Sequence, residues 1–343
     1  LVPILQALPQ NEAANKYYAL LRDSSKSLGE IMEHGLLIDK ETFEEDGGTQ
    51  KARSIWAHRD EDGRVRGHFS SFGAVTGRTV CTVPNLQSFP NELKHTVIAP
   101  HGRMLIDADY RQSEMRIAAI LAMDEAMLSS LHEGKDIHRE TASRVLRIPF
   151  DSVSHEQRQI GKAVNFGFLY GQTAKGLQAT LAELNISRSI EECCELQNVF
   201  VICYPSLRRW RDQSLQACRV PDWKKTVFPP TGVRTALRRH IPVYTLAFRH
   251  EAKVVNYIVQ GTGAELALQV LSMLPERLAG LDAKIIHCIH DEFLLEAAED
   301  DAEQAATILA QTMTDAFTQL FPGAPTGHLL DCGIGKTWAE AKA

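Results

Sequence analysis

Two hydrophobic periods alternate along this chain, and each change of period marks the border of a predicted element. Leucine, alanine and isoleucine recur at three- and four-residue spacing over residues 1–35, which predicts a helix. The same spacing predicts further helices over residues 113–131, 137–146, 155–170, 251–274 and 302–318. Helices therefore account for most of the predicted elements.

Short apolar runs predict the strands. Residues 104–106 form one candidate, which leads directly into acidic residues. Residues 284–288 and 293–296 predict a hairpin with residues 290–292 at its tip, and residues 227–232 predict a turn between short strands. The tail predicts one more strand and a turn. This order of elements favours an α+β fold, in which an antiparallel sheet carries acidic residues and the helices are segregated around it.

The composition is that of an ordinary globular protein. The chain has 343 residues, of which 44% are hydrophobic and 23% are charged, so it is long enough for two or three cooperating subdomains. No apolar run approaches the roughly 20 residues of a membrane span, so we expect no membrane partner. The seven cysteines are scattered without a CxxC pair, which argues against a zinc site and favours a reducing interior. Because the chain begins at Leu1 and not at Met, we expect a fragment of a longer protein.

The net charge of −6 argues only weakly against a protein that binds phosphates, because the charges are segregated. Basic residues outnumber acidic ones over residues 134–180, and an acidic run lies within residues 296–303. Two solvated faces would explain the same pattern. Charge alone therefore excludes neither a nucleic-acid partner nor any other class.

Carboxylates follow the predicted strands at two places. Asp107 and Asp109 come directly after the first strand, and Asp291 and Glu292 lie at the tip of the hairpin. Two carboxylates that converge from separate strands would suit Mg²⁺, and two such ions about 3.5–4 Å apart can clamp an in-line phosphoryl transfer. An Asp in a turn after a strand is also common, and hydrolases use acidic pairs too, so the reaction class stays open here.

Four side chains spaced by four residues lie along one face of the helix predicted over residues 155–170. Arg158 and Lys162 are cations that suit a triphosphate, and Phe166 and Tyr170 are aromatic rings that suit a stacked base. An amphipathic helix whose aromatic side chains enter the core is an equally good interpretation of this helix alone.

The same helix contains Gly161 and Gly167. A helical glycine costs about 1 kcal/mol relative to alanine, so these positions indicate close packing or a need to move.

Segments that follow one another from about residue 68 to the end resemble DNA polymerase family A, of the bacterial DNA polymerase I type. Residues 109–116 (DYRQSEMR) resemble motif A, residues 158–171 resemble motif B and residues 289–292 (IHDE) resemble motif C. Further similar segments are residues 76–78 (TGR), 84–87 (PNLQ), 136–142 (DIHRETA), 259–264 (VQGTGA) and 333–338 (GIGKTW). Several motifs in the right order make chance resemblance a poor explanation.

The resemblance implies a right-hand polymerase fold with an antiparallel palm sheet, helical fingers and a reduced thumb. It places a partial thumb and the lead-in to the palm at residues 1–67, and the palm with its minor-groove segment and motif A at residues 68–126. The fingers with motif B would span residues 127–250, and the palm with motif C would span residues 251–343. The implied activity is template-directed addition of deoxynucleotides to a primer 3′-hydroxyl. No candidate exonuclease cluster precedes the motifs, so we expect no proofreading within this chain.

The resemblance implies a role for each residue that matches a family motif. Asp109 and Asp291, with the Tyr110 carbonyl, would hold two Mg²⁺ ions, for which Mn²⁺ could substitute, and Lys162 would also protonate the leaving pyrophosphate. The implied nucleotide-binding residues are Gln112, Glu114, His138, Arg158, Lys162, Phe166 and Tyr170. The implied DNA-binding residues are Arg78, Asn85, Gln87, Asn256, Gln260 and His290. Glu292 would be a secondary neighbour of the site, and the motif selects Asp109 over Asp107.

Two of these roles bear on substrate choice. Glu114 would close the pocket beneath the sugar and exclude a ribose 2′-hydroxyl. Phe166 resembles the form found in members of the family that discriminate against dideoxynucleotides. Contacts to the minor groove check the shape of a base pair more than its sequence, which suits an enzyme that copies any template.

The chain departs from motif A at two positions, where Arg111 and Ser113 stand in place of the usual Ser and Ile. Ser113 replaces an apolar residue beside the nucleotide pocket, so fidelity could differ from that of relatives.

Three rival functions stay open. A single-subunit RNA polymerase shares the acidic pair, although Glu114 argues against it, and an inactive DNA-binding subunit is disfavoured by the intact Asp109 and Asp291. A metal-dependent nuclease would leave the basic helix without a purpose. The expected partners are primer-template DNA and deoxynucleoside triphosphates. We expect a monomer in the cytoplasm of a bacterial or phage-infected cell, associated with the nucleoid.

Overall fold

The computed structural model describes residues 12–46, 49–71, 73–218, 233–235, 240–241 and 253–342. The helices are α1 (Glu12–His34), α2 (Lys40–Asp46), α3 (Gln50–Trp56), α4 (Ser113–Ala122), α5 (Glu125–His132), α6 (Ile137–Leu146), α7 (His155–Leu169), α8 (Ala174–Glu183), α9 (Ile190–Cys203), α10 (Pro205–Cys218), α11 (Lys253–Arg277), α12 (Ala302–Leu320) and α13 (Trp338–Ala341). The strands are β1 (Leu36–Leu37), β2 (Arg64–Val65), β3 (His68–Ser70), β4 (Val80–Thr82), β5 (Arg103–Tyr110), β6 (Val233–Arg234), β7 (His240–Ile241), β8 (Ala283–Ile289), β9 (Glu292–Ala298) and β10 (Leu330–Gly335).

The central element is a four-stranded antiparallel sheet in the order β10-β5-β9-β8. Strand β5, which carries the first acidic segment, pairs with β9 so that Asp109 lies opposite Glu292. On its other side β5 pairs with β10, where Asp331 lies opposite Asp109. The acidic residues of motifs A and C therefore meet at one end of the sheet. The expected mixed fold with an antiparallel sheet is confirmed.

The two faces of β5 have different neighbours because side chains alternate along a strand. Tyr110 faces α12, where its hydroxyl donates to the Met313 carbonyl at 2.6 Å and its ring packs against Phe317. Asp107 and Asp109 lie on the opposite face, where Trp338 of α13 donates to Asp107. One face of the strand is thus anchored in the core, and the other presents carboxylates.

Helices α1 and α11 lie against each other beside the sheet. The buried Ser27 hydroxyl of α1 donates to the Leu271 carbonyl of α11 at 2.7 Å. One core of buried side chains continues from the sheet into the helices around α7 and α9. None of the helices in the described ranges is long and apolar enough to span a membrane.

Most predicted elements are present, with one correction. The helix predicted over residues 113–131 is two helices, α4 and α5, because Met123 adopts a left-handed conformation (φ 51°) that ends α4. Asp124 then begins α5, where its side chain accepts a hydrogen bond from the Met127 amide. The turn predicted over residues 227–232 lies outside the described residues.

Close packing between α6 and α7 explains one of the two helical glycines. A Cβ at Gly161 would lie 2.1 Å from the His138 carbonyl oxygen and 2.7 Å from the Ala142 nitrogen. At Gly167 the nearest atom to such a Cβ would be the end of the flexible Gln172 side chain, at 3.1 Å. Backbone atoms cannot move away as a side chain can, so Gly161 permits the observed distance between α6 and α7.

Candidate active site

One cavity of about 570 Å³ brings together most of the residues that the sequence singled out. Its lining includes the predicted residues Arg78, Asp109, Tyr110, Gln112, Glu114, His138, Arg158, Lys162, Phe166, Tyr170, His290 and Asp291. The predicted residues outside this lining are Asn85, Gln87, Asn256, Gln260 and Glu292. The cavity therefore has an acidic wall from the sheet and a basic and aromatic wall from α7.

The acidic wall is formed by the end of β5 and the tip of the β8–β9 hairpin. The Tyr110 amide donates to the Asp291 carbonyl at 3.4 Å, which ties the two segments together. Burial raises the pKa of Asp109, the nearby Asp291 carboxylate adds to the shift, and the pKa reaches about 7. Burial also raises the pKa of Asp291, although the Ser113 hydroxyl, which donates to its Oδ2 at 2.5 Å, opposes that shift. Lys342 Nζ lies 3.5 Å from Asp109 Oδ2 and opposes the shift there, but the pKa of Asp109 is still raised.

A second pair of carboxyl groups, Asp107 and Glu292, lies behind the first and is well compensated. Lys94 Nζ lies 2.8 Å from Glu292 Oε1, and Lys342 Nζ lies 2.9 Å from Glu292 Oε2. The indole of Trp338 donates to Asp107 at 2.9 Å and to Glu292 at 3.1 Å.

The pKa values of Asp107 and Glu292 are shifted in opposite directions. Burial, together with the Glu292 carboxylate, raises the pKa of Asp107. Burial alone would raise the pKa of Glu292 too, but the hydrogen bond from Asp107 and the ammonium groups of Lys94 and Lys342 lower it. The interaction between the two carboxyl groups raises the pKa of Asp107 and lowers that of Glu292. Asp107 shares a face of β5 with Asp109 but does not line the cavity.

The basic wall begins at the first turns of α7. Arg158 is held by Asp136, whose Oδ2 accepts from Arg158 Nη2 at 2.7 Å and from Nε at 3.1 Å. The same oxygen accepts from Gln112 Nε2 at 2.7 Å, and Asp136 also caps α6 by accepting from the Arg139 amide. Lys162, one turn further along α7, is exposed and makes no ion pair with any residue that the structure describes.

The aromatic part of this wall follows directly. The Phe166 ring lies 5.9 Å from the Tyr170 ring and 5.7 Å from the His138 ring, centroid to centroid. The Tyr170 hydroxyl donates to Glu114 Oε2 at 3.2 Å, and Arg78 donates to Glu114 Oε1 at 2.9 Å. Glu114 is thereby fixed between the sheet side of the cavity and the end of α7.

His138 is a neutral imidazole whose orientation is fixed by its neighbours. Burial lowers its pKa to about 4. Thr141 donates to Asn165 Oδ1 at 3.0 Å, which leaves the Asn165 amide nitrogen to donate to His138 Nδ1 at 2.9 Å. Because Nδ1 then accepts, the ring proton lies on Nε2 and makes that atom a donor.

The residues expected to contact DNA are more dispersed. His290 lines the cavity in a left-handed conformation (φ 56°), and burial lowers its pKa to about 4. Gln87 bonds to Thr79 at 3.0 Å and to the Cys288 carbonyl at 3.3 Å, so its amide connects two segments of the fold. Asn85 is exposed, and Gln260 on α11 is half-buried. Asn256 has a buried amide nitrogen without an acceptor in the described part of the chain. Their contacts with DNA stay predictions.

Sequence reasoning assigned no role to several residues that shape the site. Asp136 had a signal, since it lies in a segment that resembles the family, but its bond to Arg158 depends on the packing of α6 against α7. Trp338 also lies in a segment that resembles the family, whereas Lys94 and Lys342 gave no signal. All three come from segments distant in sequence that meet around Glu292 only in the folded protein.

The donor set fits divalent ions that arrive with a substrate. Among the described residues, no group of three or more His, Cys, Asp and Glu side chains is arranged to hold a metal ion. Mg²⁺, however, is usually bound through one or two carboxylates, water and substrate phosphates. Asp109 and Asp291 provide two such carboxylates, and burial makes a nearby positive charge favourable for both. The residues present thus fit Mg²⁺ held jointly by the protein and a nucleotide.

Comparison with known proteins shows the family of this chain. The sequence profile of DNA polymerase family A matches residues 48–340. The chain is 35% identical over 260 residues to DNA polymerase I of Aquifex aeolicus, across 75% of this chain and 43% of that protein. It is 31% identical over 291 residues to the thermostable DNA polymerase I of Thermus aquaticus, across 82% of this chain and 33% of that protein. The chain therefore spans less than half the length of these relatives.

A solved structure shares the fold. The POL domain of Pol1 from M. smegmatis, in complex with DNA primer-template and dNTP, superposes with a TM-score of 0.71 and 22% identity, over 96% of this chain and 66% of that one. The profile covers most of this chain and includes the acidic segments and α7. The chain belongs to DNA polymerase family A.

Proposed function

We propose that this chain is a DNA-directed DNA polymerase that adds deoxynucleotides to a primer 3′-hydroxyl by a two-metal mechanism. One observation carries the proposal: Asp109 and Asp291 form one wall of the cavity, and Arg158, Lys162 and Tyr170 form another. Carboxylates for divalent ions, cations for a triphosphate and an aromatic platform for a base are thereby close enough to act on one nucleotide.

The proposal includes the right-hand arrangement. The four-stranded sheet with α11 and α12 would be the palm, and helices α6 to α10 would be the fingers. Residues 1–67 would be the partial thumb and the entry to the palm. The boundaries at residues 67, 126 and 250 stay predictions, as do the monomeric state and the cytoplasmic, nucleoid-associated location.

Asp109, Asp291 and the Tyr110 carbonyl would hold the ions. Divalent ions there would lower the pKa of the attacking 3′-hydroxyl and neutralise the leaving pyrophosphate. The two carboxylates would also orient the primer end towards the α-phosphate of the nucleotide. Tyr110 suits this arrangement because its side chain is anchored to Met313, which leaves its backbone at the site.

The residues of α7 would bind and orient the nucleotide. Arg158 and Lys162 would bind the β- and γ-phosphates, and the Lys162 ammonium would give a proton to the leaving pyrophosphate oxygen. His138 would donate from Nε2 to a phosphate oxygen. Gln112 would contribute through its bond to Asp136, the carboxylate that pairs with Arg158.

Phe166, Tyr170 and Glu114 would set the identity of the substrate. Phe166 would lie against the sugar and base, and Tyr170 beside the templating position. Glu114 is fixed by Arg78 and Tyr170 and so could not readily move to admit a ribose 2′-hydroxyl. The substrate is therefore a deoxynucleoside triphosphate.

Primer extension tests the proposal. The chain is given a primer-template, Mg²⁺ and either deoxy- or ribonucleoside triphosphates, and it is compared with Asp109→Asn, Asp291→Asn and the exposed control Asp300→Asn. Loss of a metal-binding carboxylate should lower the extension rate by about a thousandfold, whereas the control should match wild type. Undiminished extension by either cavity variant would refute the site, and equal use of ribonucleotides would refute the substrate class.

A further inference from the structure

The hydroxyl of Ser113 donates a hydrogen bond to Asp291, one of the two cavity carboxylates. Its Oγ donates to Asp291 Oδ2 at 2.5 Å, the short distance typical of a hydroxyl bonded to a charged oxygen. Ser113 is the first residue of α4, and its hydroxyl bonds to the tip of the β8–β9 hairpin.

The backbone on both sides of this hydrogen bond is fixed. Gln112, just before Ser113, adopts a left-handed conformation (φ 54°, ψ 38°), and its amide group bonds to Asp136 at 2.7 Å and to the Ile137 nitrogen at 2.8 Å. Asp291 follows His290, also left-handed, and its carbonyl accepts from the Tyr110 amide. The hydroxyl therefore meets the carboxylate without either backbone having to move.

We infer that Ser113 is a positioning residue that holds the Asp291 carboxylate in the orientation in which it binds a divalent ion. This inference rests on the proposed two-metal function. The terminal torsion of an aspartate is broad, so a buried carboxylate without a donor samples several orientations. Partners that orient a metal ligand in this way typically contribute 10- to 100-fold to metal affinity or activity.

Only a side chain with a hydrogen-bond donor at position 113 can make this bond to Asp291. The isoleucine usual in motif A could not donate to Asp291, and neither could alanine. Threonine keeps the hydroxyl and adds a methyl group. Ser113→Thr should thus keep the orientation of Asp291, while Ser113→Ala and Ser113→Ile should lose it.

Manganese binding gives a measurement that does not depend on turnover. The chain is bound to a primer-template with a 3′-dideoxy end and a matched deoxynucleoside triphosphate, and free Mn²⁺ is titrated by electron paramagnetic resonance. We expect Ser113→Ala and Ser113→Ile to weaken Mn²⁺ binding about tenfold and Ser113→Thr to stay within about twofold of wild type. In extension assays the Mg²⁺ concentration for half-maximal rate should rise by the same factor, while kcat at saturating Mg²⁺ changes less.

A matched control is available at Ser129, whose hydroxyl also donates to a carboxylate, Glu133, at 3.2 Å on the exposed side of α5. Ser129→Ala should bind Mn²⁺ like wild type. If Asp291→Asn loses Mn²⁺ while Ser113→Ala and Ser113→Ile bind it normally, the role of Ser113 is wrong and the proposed function stands. If Asp291→Asn itself binds and extends normally, the proposed function is wrong. Equal loss in Ser113→Thr and Ser113→Ala would overturn the hydrogen bond as the cause.

Discussion

The acidic end of the sheet and the cavity face of α7 carry opposite charges. In each of them, one charged side chain has an ion-pair partner and another has none among the described residues. At the sheet, Glu292 lies between Lys94 and Lys342, whereas Asp291 has a hydroxyl as its neighbour and no ammonium group within ion-pair distance in the described residues. On α7, Arg158 is bonded twice to Asp136, whereas Lys162 is exposed and unpaired among the described residues. Each region thus has a charge that the protein neutralises and a charge that it leaves open.

The presence or absence of an ion-pair partner separates charges that stabilise the fold from charges that are available to bind a ligand. A neutralised charge is part of the packing, and its removal should appear in the free energy of unfolding. An open charge contributes little to folding, so its removal should appear in catalysis. The five predictions below test this division. The first four run from the largest expected effect to the smallest, and the fifth is the opposite case of the fourth.

Lys94→Met should lower the free energy of unfolding by about 3 kcal/mol, because it breaks a buried ion pair and leaves Glu292 with less compensation. The Lys94 side chain is 5% exposed, and its ammonium also lies 4.0 Å from the Trp338 ring centroid. Urea denaturation measures the change. Lys342→Met is the matched control, since the Lys342 side chain is 35% exposed and should contribute about 1 kcal/mol or less. Equal losses in both variants would contradict the distinction.

Lys162→Met should slow nucleotide addition by about 100-fold, since one charge that stabilises the transition state is lost. The unfolding temperature should not change, because no described residue pairs with this ammonium group. Single-turnover extension and a thermal melt give the two values. Lys175→Met, an exposed lysine on the neighbouring α8, should leave both unchanged. A fall in unfolding temperature with a normal rate would place Lys162 among the structural charges.

Asp136→Asn should lower the KM for the nucleotide by about threefold, because Arg158 would no longer have to leave an ionised partner to bind phosphate. Asparagine caps helices about as well as aspartate, so α6 should stay intact. Steady-state extension at several nucleotide concentrations measures the KM. A higher KM would show instead that Asp136 holds Arg158 in its binding position.

Asp109→Asn should stabilise the protein in chelator, and the gain should grow with pH. Burial and Asp291 raise the pKa of Asp109, so the stability from this group is complete below its unfolded pKa of about 4 and is lost as the pH rises through the folded value of about 7. The gain should be small because the side chain is 36% exposed. Thermal melts between pH 4 and 8 would show it, and a gain independent of pH would contradict it.

Glu292→Gln should have the opposite effect on stability to Asp109→Asn, because the pKa of Glu292 is lowered and that of Asp109 is raised. The pKa of Glu292 is lowered, so its contribution to stability is present above its unfolded pKa and is lost as the pH falls through the folded value. The glutamine variant should accordingly be less stable than wild type at neutral pH, and the deficit should shrink in acid.

Local sequence pattern was sufficient for most elements and for the four residues of α7 that line the cavity, whereas the other site residues came from the family resemblance. Residues 158, 162, 166 and 170 share a face because four residues are close to one helical turn, and the hairpin was visible as two apolar runs around an acidic tip. The single helix expected over residues 113–131 was wrong because Met123 is left-handed, and a methionine gives no warning of that conformation.

Local sequence pattern could not predict which residues form ion pairs and hydrogen bonds with the charged side chains of the site. Asp107 and Asp109 lie on the same face of β5, so alternation cannot tell which carboxyl group lines the cavity, and only family resemblance selected Asp109. The bonds to Trp338 and Lys342 join residues more than 200 positions apart in sequence. Ser113 was noticed as a departure from motif A, but its bond to Asp291 depends on the distance between α4 and the hairpin.

The tight contact at Gly161 has a consequence for protein engineering. Glycine-to-alanine exchanges in helices are a common route to a more heat-resistant enzyme, and α7 offers two positions for them. At position 161 the added methyl group would meet backbone atoms of α6 and push α7 away, which would displace Arg158 from Asp136. A library aimed at thermostability should therefore keep position 161 fixed and sample position 167, where only the Gln172 side chain has to yield.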